Sequence, residues 1–137
     1  MSVIVDTLLS VGKALFGLRT ELAKARKERK NEVADFIDSL AKIIDETAAS
    51  LRRDEYPGGQ CAELFAHSQQ LEAAIGDLIG LPKAVELTTQ LEEVREIERL
   101  YAELHGDEPA ERSRKLSVLD EAAGQFRAAA AFVRVSP

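Results

Sequence analysis

One cysteine and two histidines are the side chains of this 137-residue chain best suited to nucleophilic or acid–base chemistry. Cys61 and His67 lie six positions apart and His105 is remote, whereas a zinc site gathers more ligands at closer, recurrent spacing. A single thiol excludes an internal disulfide and any multi-thiolate metal site, and it suits a reducing compartment. The 24 Asp and Glu residues could supply acids and bases, but the Glu-x-x-His pairs of di-iron bundles do not occur. Spread over helix faces, these carboxylates read as solvating charge. No Walker loop, GxGxxG or nucleophile elbow is present. The sequence therefore predicts a non-enzymatic protein with no catalytic residues, no metal site and no cofactor.

What the chain offers a partner is concentrated instead in its first thirty residues, MSVIVDTLLSVGKALFGLRTELAKARKERK. Val3 to Leu18 is mostly large and apolar, and a dense basic run follows. These thirty residues hold seven Lys and Arg against three acids, net +4; with the whole chain at −6, residues 31–137 carry −10. An apolar, cationic N-terminus on an acidic body predicts a membrane surface as partner. The acidic body argues against nucleic acid, whose phosphates need a broad basic face. A span of Val3–Leu18 reaches only about 24 Å at 1.5 Å per residue and contains Asp6 and Lys13, so it is no resting transmembrane anchor. Lys13 interrupts the apolar run and no basic side chain precedes it, so it is not patterned as an export signal. The expected location is cytoplasmic at rest.

Helical periodicity sets the elements that position these groups. The expected fold is all-α: an antiparallel four-helix bundle with an additional fifth, brace-like helix, over approximately 2–28, 31–52, 60–79, 82–105 and 108–133. In helix one, Ile4, Leu8, Val11, Leu15, Leu18 and Leu22 form a seam, with Val5, Leu9 and Phe16 as a second stripe roughly 100° away. The apolar arc covers about half the circumference, more than a peripheral helix needs. Ser2 is a candidate first-turn cap. Gly12 and Gly17, each costing about 1 kcal/mol relative to Ala, mark a bend or a close contact. From Ala23 to Glu32 no large apolar side chain appears, which makes this run either an exposed hairpin tip or a solvated bridge, with a turn near Glu28–Asn31.

Val33, Phe36, Ile37, Leu40, Ile43, Ile44, Thr47 and Leu51 restore the seam in helix two. RDEYPGGQ (53–60) is a loop. Helix three carries Leu64, Phe65, Leu71, Ile75, Leu78 and Ile79. Gly80-Leu81-Pro82 closes it, with Gly80 in a left-handed position and Leu81 packing back. Ala84, Leu87, Leu91, Val94, Ile97, Tyr101 and Leu104 line helix four. Asp107 is the expected N-cap of helix five, whose buried face is Leu116, Leu119, Ala123, Phe126, Ala130 and Val133.

The run LLSVGKALFGLRTELAKARKERKNEVADFIDSLAKIIDETAASL (8–51) resembles the start of the four-helix cell-death executioner domains. These are the bundle of the mixed-lineage kinase domain-like pseudokinase, the fungal HeLo and HELL domains, and their bacterial analogues called Bell. The matching order is an apolar helix with small residues, a basic turn and a second amphipathic helix. The resemblance implies a module, 1–137, at the N-terminus of a longer protein, fused to a sensor or oligomerisation platform. Clustering would free the first helix, and the self-associated assembly would permeabilise membranes in innate immunity or antiphage defence. By position, Ile4, Val5, Leu8, Leu9, Val11, Leu15 and Phe16 would insert. Lys13, Arg19, Lys24, Arg26, Lys27, Arg29 and Lys30 would contact anionic lipid head groups, making the activated protein membrane-associated. The alternative is a non-enzymatic helical adaptor in signalling or defence whose first helix stays in the core. A small-ligand-binding bundle finds little support, because no polar residue interrupts the seams at a pocket.

Overall fold

The computed structural model describes residues 3–93, 97 and 99–137, and every regular element among them is helical. Helix α1 (Val3–Gly17) is followed by the single turn α2 (Arg19–Leu22), a 3-10 turn (Lys27–Arg29) and α3 (Lys30–Arg52). Then come α4 (Gly58–Ser68), α5 (Leu71–Ile79), α6 (Leu81–Glu93), α7 (Arg99–His105) and α8 (Pro109–Val135).

The long α8 holds the molecule together by packing along both α3 and α1. Leu116, Leu119, Phe126 and Val133 recur at helical spacing and are buried, with Ala122, Ala123, Ala129 and Ala130 filling the stripe between them. Alanine is the best helix former, and its small side chain lets neighbours approach. The helix expected as an added brace is therefore the one on which the first two long helices both rest. Against α3 the rim is zipped by charge. Arg112 donates to the Leu51 carbonyl (2.6 Å), Arg52 pairs with Asp120 (2.6 Å), Arg127 with Asp45, and Arg134 with Asp35 and Asp38. Rising numbers on one helix meet falling numbers on the other, so α3 and α8 run antiparallel. Such half-exposed pairs add little individually. Arg134→Ala is expected to cost about 0.5–1 kcal/mol in urea denaturation, and raising salt should shrink the difference.

Helix one differs from the expected span. It stops at Gly17, resumes as one turn, and gives way before the basic run, so residues 23–26 are a loop leading into the 3-10 turn, not part of a continuous helix. Gly17 ends the helix on an exposed face. The orphan Phe16 carbonyl accepts a bond from the Arg19 guanidinium (2.9 Å). Gly12 serves the other purpose anticipated for it, a close contact with α8.

The expected third and fourth helices are each divided. Gln69–Gln70 separates α4 from α5, and Ile97 stands in a turn between α6 and α7; Val94 and the expected cap Ser2 lie outside the described residues. Gly80 does have positive φ (89°), and its carbonyl accepts the Ala84 N–H (3.0 Å), opening α6. Leu81 does not pack back; it is 61% exposed. Phe65, expected on a seam, is also exposed. Asp107 does not cap α8. Glu108 occupies that position without a side-chain bond, because Asp107 is drawn to Lys115.

Candidate functional site

Helices α1 and α2 and the segment that follows, to Arg29, form an N-terminal arm carrying thirteen of the fourteen residues expected to meet a bilayer; the fourteenth, Lys30, opens α3. The apolar half of that set faces inward. Val5, Leu8, Val11 and Leu15 are fully buried, and Ile4, Leu9 and Phe16 pack partly buried against the same core. The question left by the wide apolar arc is thus answered: in this state helix one is a core helix. Its tightest point is Gly12, where an added Cβ would stand 3.1 Å from the Ala122 carbonyl oxygen, 3.1 Å from Gln125 Cβ and 3.2 Å from Phe126 Cε2.

The seven cations divide into two groups. Arg19, Arg29 and Lys30 are committed internally. The Arg19 guanidinium lies 4.2 Å from the Phe16 ring and 5.5 Å from the Phe132 ring, tying the end of α1 to the end of α8 by cation–π attraction. Arg29 spans to α5, donating to Asp77 (2.7 Å) and the Ala74 carbonyl (3.0 Å). Its hydrogen bond raises its own pKa and holds the Asp77 carboxyl below the usual carboxylate range. Lys30, only 8% exposed, donates to the Ser136 and Pro137 carbonyls (2.9 and 2.8 Å), a cation at the negative end of α8.

Lys13, Lys24, Arg26 and Lys27 form the second group. They are exposed and, among the described residues, have neither an ion-pair nor a hydrogen-bond partner. By contrast, each described Lys or Arg after residue 30 contacts an acidic side chain or a carbonyl, or is otherwise engaged. Lys24, Lys27 and Lys30 also line a cavity of about 570 Å³ beside Ser136 and Pro137. Uncommitted positive charge is gathered on the arm.

The groups first considered for chemistry sit elsewhere. Cys61 is half-buried against the core at the start of α4. His67 Nδ1 donates to the Glu63 carbonyl (2.8 Å), and its ring lies 6.0 Å from that of Phe36. His105 has both nitrogens turned to acceptors, Nδ1 to the Tyr101 carbonyl (2.6 Å) and Nε2 to Asp54 (2.8 Å). Each ring nitrogen of His105 thus lies within hydrogen-bond distance of an acceptor. Among the described residues no group of three His, Cys, Asp or Glu is placed to hold a metal ion.

One charged cluster was not foreseen. Lys115 of α8 is buried and donates to Glu103 and Asp107 (2.7 Å each), joining α7, the connecting loop and α8. Burial works against its charge, but the bonds to Asp107 and Glu103 outweigh burial and raise its pKa. Its spacing held the signal: 115, 119, 122 and 126 lie on one helical stripe. Among the described residues no helix is long and apolar enough to cross a membrane. No protein-family model, curated protein or solved structure matches the chain.

Proposed function

We propose that the chain is a membrane-targeting, permeabilising effector module of the cell-death executioner type. In this reading it is an antiparallel four-helix bundle with an additional helix, is not an enzyme, and rests with its N-terminal arm docked. Clustering through an attached or partner sensor delivers the arm to an anionic bilayer. The observation that carries the reading is the pairing of one apolar helix with the exposed, uncommitted cations Lys13, Lys24, Arg26 and Lys27.

Magnitudes define what the trigger must do. Undocking exposes five buried side chains, Val5, Leu8, Val11, Leu15 and Leu22, at about 1.5–3 kcal/mol each. Four cations at an anionic surface return about 4 kcal/mol in total, at roughly 1 kcal/mol each. Charge alone therefore brings the folded domain to the surface without extracting the helix. Extraction needs the bilayer to receive the apolar face, and self-association to hold the exposed state.

The full burial of Val5, Leu8, Val11 and Leu15 favours a second reading, the helical adaptor whose first helix never leaves. The experiment is dye release from anionic liposomes by the intact chain, clustered through a C-terminal oligomerisation tag. Leakage is expected from the parent and not from a Lys13→Glu, Lys24→Glu, Arg26→Glu, Lys27→Glu variant of unchanged helicity. Arg29 and Lys30 stay untouched, since their reversal would disrupt internal contacts. A folded, clustered parent that leaves liposomes sealed would favour the adaptor.

A further inference from the structure

We propose that residues 24–28 form a processing site for an endoprotease whose primary pocket is anionic, cutting after Lys24, Arg26 or Lys27. Proteases thread an extended strand through the catalytic cleft, so helical backbone resists them and open loop tips are preferred. Arg26 is already extended (φ −57°, ψ 148°) between α2 and the 3-10 turn. The side chains that would enter the pocket are exposed and uncommitted.

The segment is open only over a few residues. Upstream, Leu22 and Ala25 are buried, and the Ala25 N–H still bonds the Leu22 carbonyl (3.2 Å). Downstream, Arg29 is held by Asp77 and Lys30 by the end of α8. Presenting Arg26 and Lys27 takes a local opening that lifts Ala25 and unwinds the Lys27–Arg29 turn, whose Arg29 N–H bonds the Arg26 carbonyl (2.7 Å), but not global unfolding. The comparable linker at 53–57 is a poorer substrate. Arg53 is bound to Glu55 (3.0 Å), and acids at 54 and 55 with Pro57 follow it.

The cut adds one water across the Arg26–Lys27 amide. The carbonyl carbon–nitrogen bond breaks, Arg26 gains a carboxylate and Lys27 a terminal ammonium. What this changes follows from how the arm is attached. Among the described residues Asp6 and Lys13, the charged residues of α1, form no salt bridge, Asp6 acting on Arg114 of α8 only through space, so α1 is held mainly by apolar packing, whereas α3 stays zipped to α8 by its arginine pairs. Cleavage removes the covalent tether from the one long helix lacking that zipper. The arm becomes a separable, cationic amphipathic peptide and the body keeps its staples. That the peptide then acts on membranes rests on the function proposed above; the site itself does not.

Limited digestion of the 137-residue chain with trypsin, followed by intact-mass measurement, tests the site. The first cut is expected after residue 24, 26 or 27, leaving a body that resists further digestion. Lys24→Gln, Arg26→Gln, Lys27→Gln should slow first cleavage at least tenfold with unchanged helicity. A first cut elsewhere, or an equal rate in the variant, overturns the proposal. Applying the nicked protein to anionic liposomes separates the two claims: correct cutting without leakage sustains the site and counts against the membrane role.

Discussion

Lys115→Ala is expected to destabilise the fold by about 3 kcal/mol, because it removes one partner from a buried charge cluster. The Lys115 side chain is 4% exposed, and its two bonds of 2.7 Å are the only described salt bridges of Glu103 and Asp107. Without the ammonium, Asp107, itself mostly buried, loses its described salt-bridge partner. Replacing the whole cluster (Lys115→Met, Glu103→Gln, Asp107→Asn) should recover most of the loss, since a well-packed neutral set avoids the desolvation of three ions. Urea denaturation of the parent, single and triple variants decides this. A single variant as stable as the parent would show that the cluster does not fasten α7 to α8. The pH dependence has a definite sign. The folded pKa of Lys115 is raised, so its contribution is fully present below the ordinary lysine value of about 10.4 and is lost as pH rises through the folded value. Alkaline unfolding should therefore be steeper in the parent than in the triple variant.

Gly12→Leu is expected to cost about 3 kcal/mol, by overpacking the point where α1 meets α8. Alanine is a different case. Its gain of about 1 kcal/mol in helix propensity opposes a Cβ 3.1 Å from the Ala122 carbonyl oxygen, so Gly12→Ala should lie near neutrality. Leucine adds three further carbons toward Phe126 and Gln125, which the helix can accommodate only by moving away. Hydrogen exchange should then show α1 opening at lower free energy while the protection of α3 and α8 persists. Equal protection across α1 in parent and variant would mean that Gly12 is not the contact it appears from its surroundings. The same site supplies a lock. In a Cys61→Ser background, Gly12→Cys with Gln125→Cys places two Cβ atoms close enough for a disulfide after a small outward shift. If the membrane reading holds, the oxidised form stays silent on liposomes and reduction restores leakage. Deleting residues 1–18 is a poorer control, since it strips Val5, Leu8, Val11 and Leu15 from the core.

These variants bear on the balance the proposed function requires. The apolar side chains that would enter a bilayer pack in or against the core, so under the proposed function the docked state would be both the stable fold and the silent state. Lowering the docking energy without unfolding the α3–α8 pair is the specific action demanded of a trigger. That α1 forms no salt bridge among the described residues makes that separation physically available.

Much of this was legible in the residues alone. Helical class followed from apolar spacings of three and four, and the buried faces of α3 and α8 were correctly placed, from Val33 to Leu51 and from Leu116 to Val133. Those faces are periodic over many turns, so local errors average out. Breaks inside helices were less legible, because Gln69–Gln70 and the run after Gly17 carry residues that tolerate helix, and only packing decides where the chain turns. The two buried lysines show the same limit. Lys30 and Lys115 both lie on the apolar stripes of their helices, so their positions were visible. Their roles were not, because the partners are 106 residues away at Ser136 and on α7 at Glu103.

The sequence by itself determined an N-terminal segment that is apolar around half its circumference and followed by excess positive charge. Only the tertiary structure decided that this arc is turned inward, and that three of the seven cations are held by internal partners while four are not. The reason is physical. Periodicity reports how wide an apolar face is, whereas what covers that face depends on distant segments whose contacts no local pattern encodes.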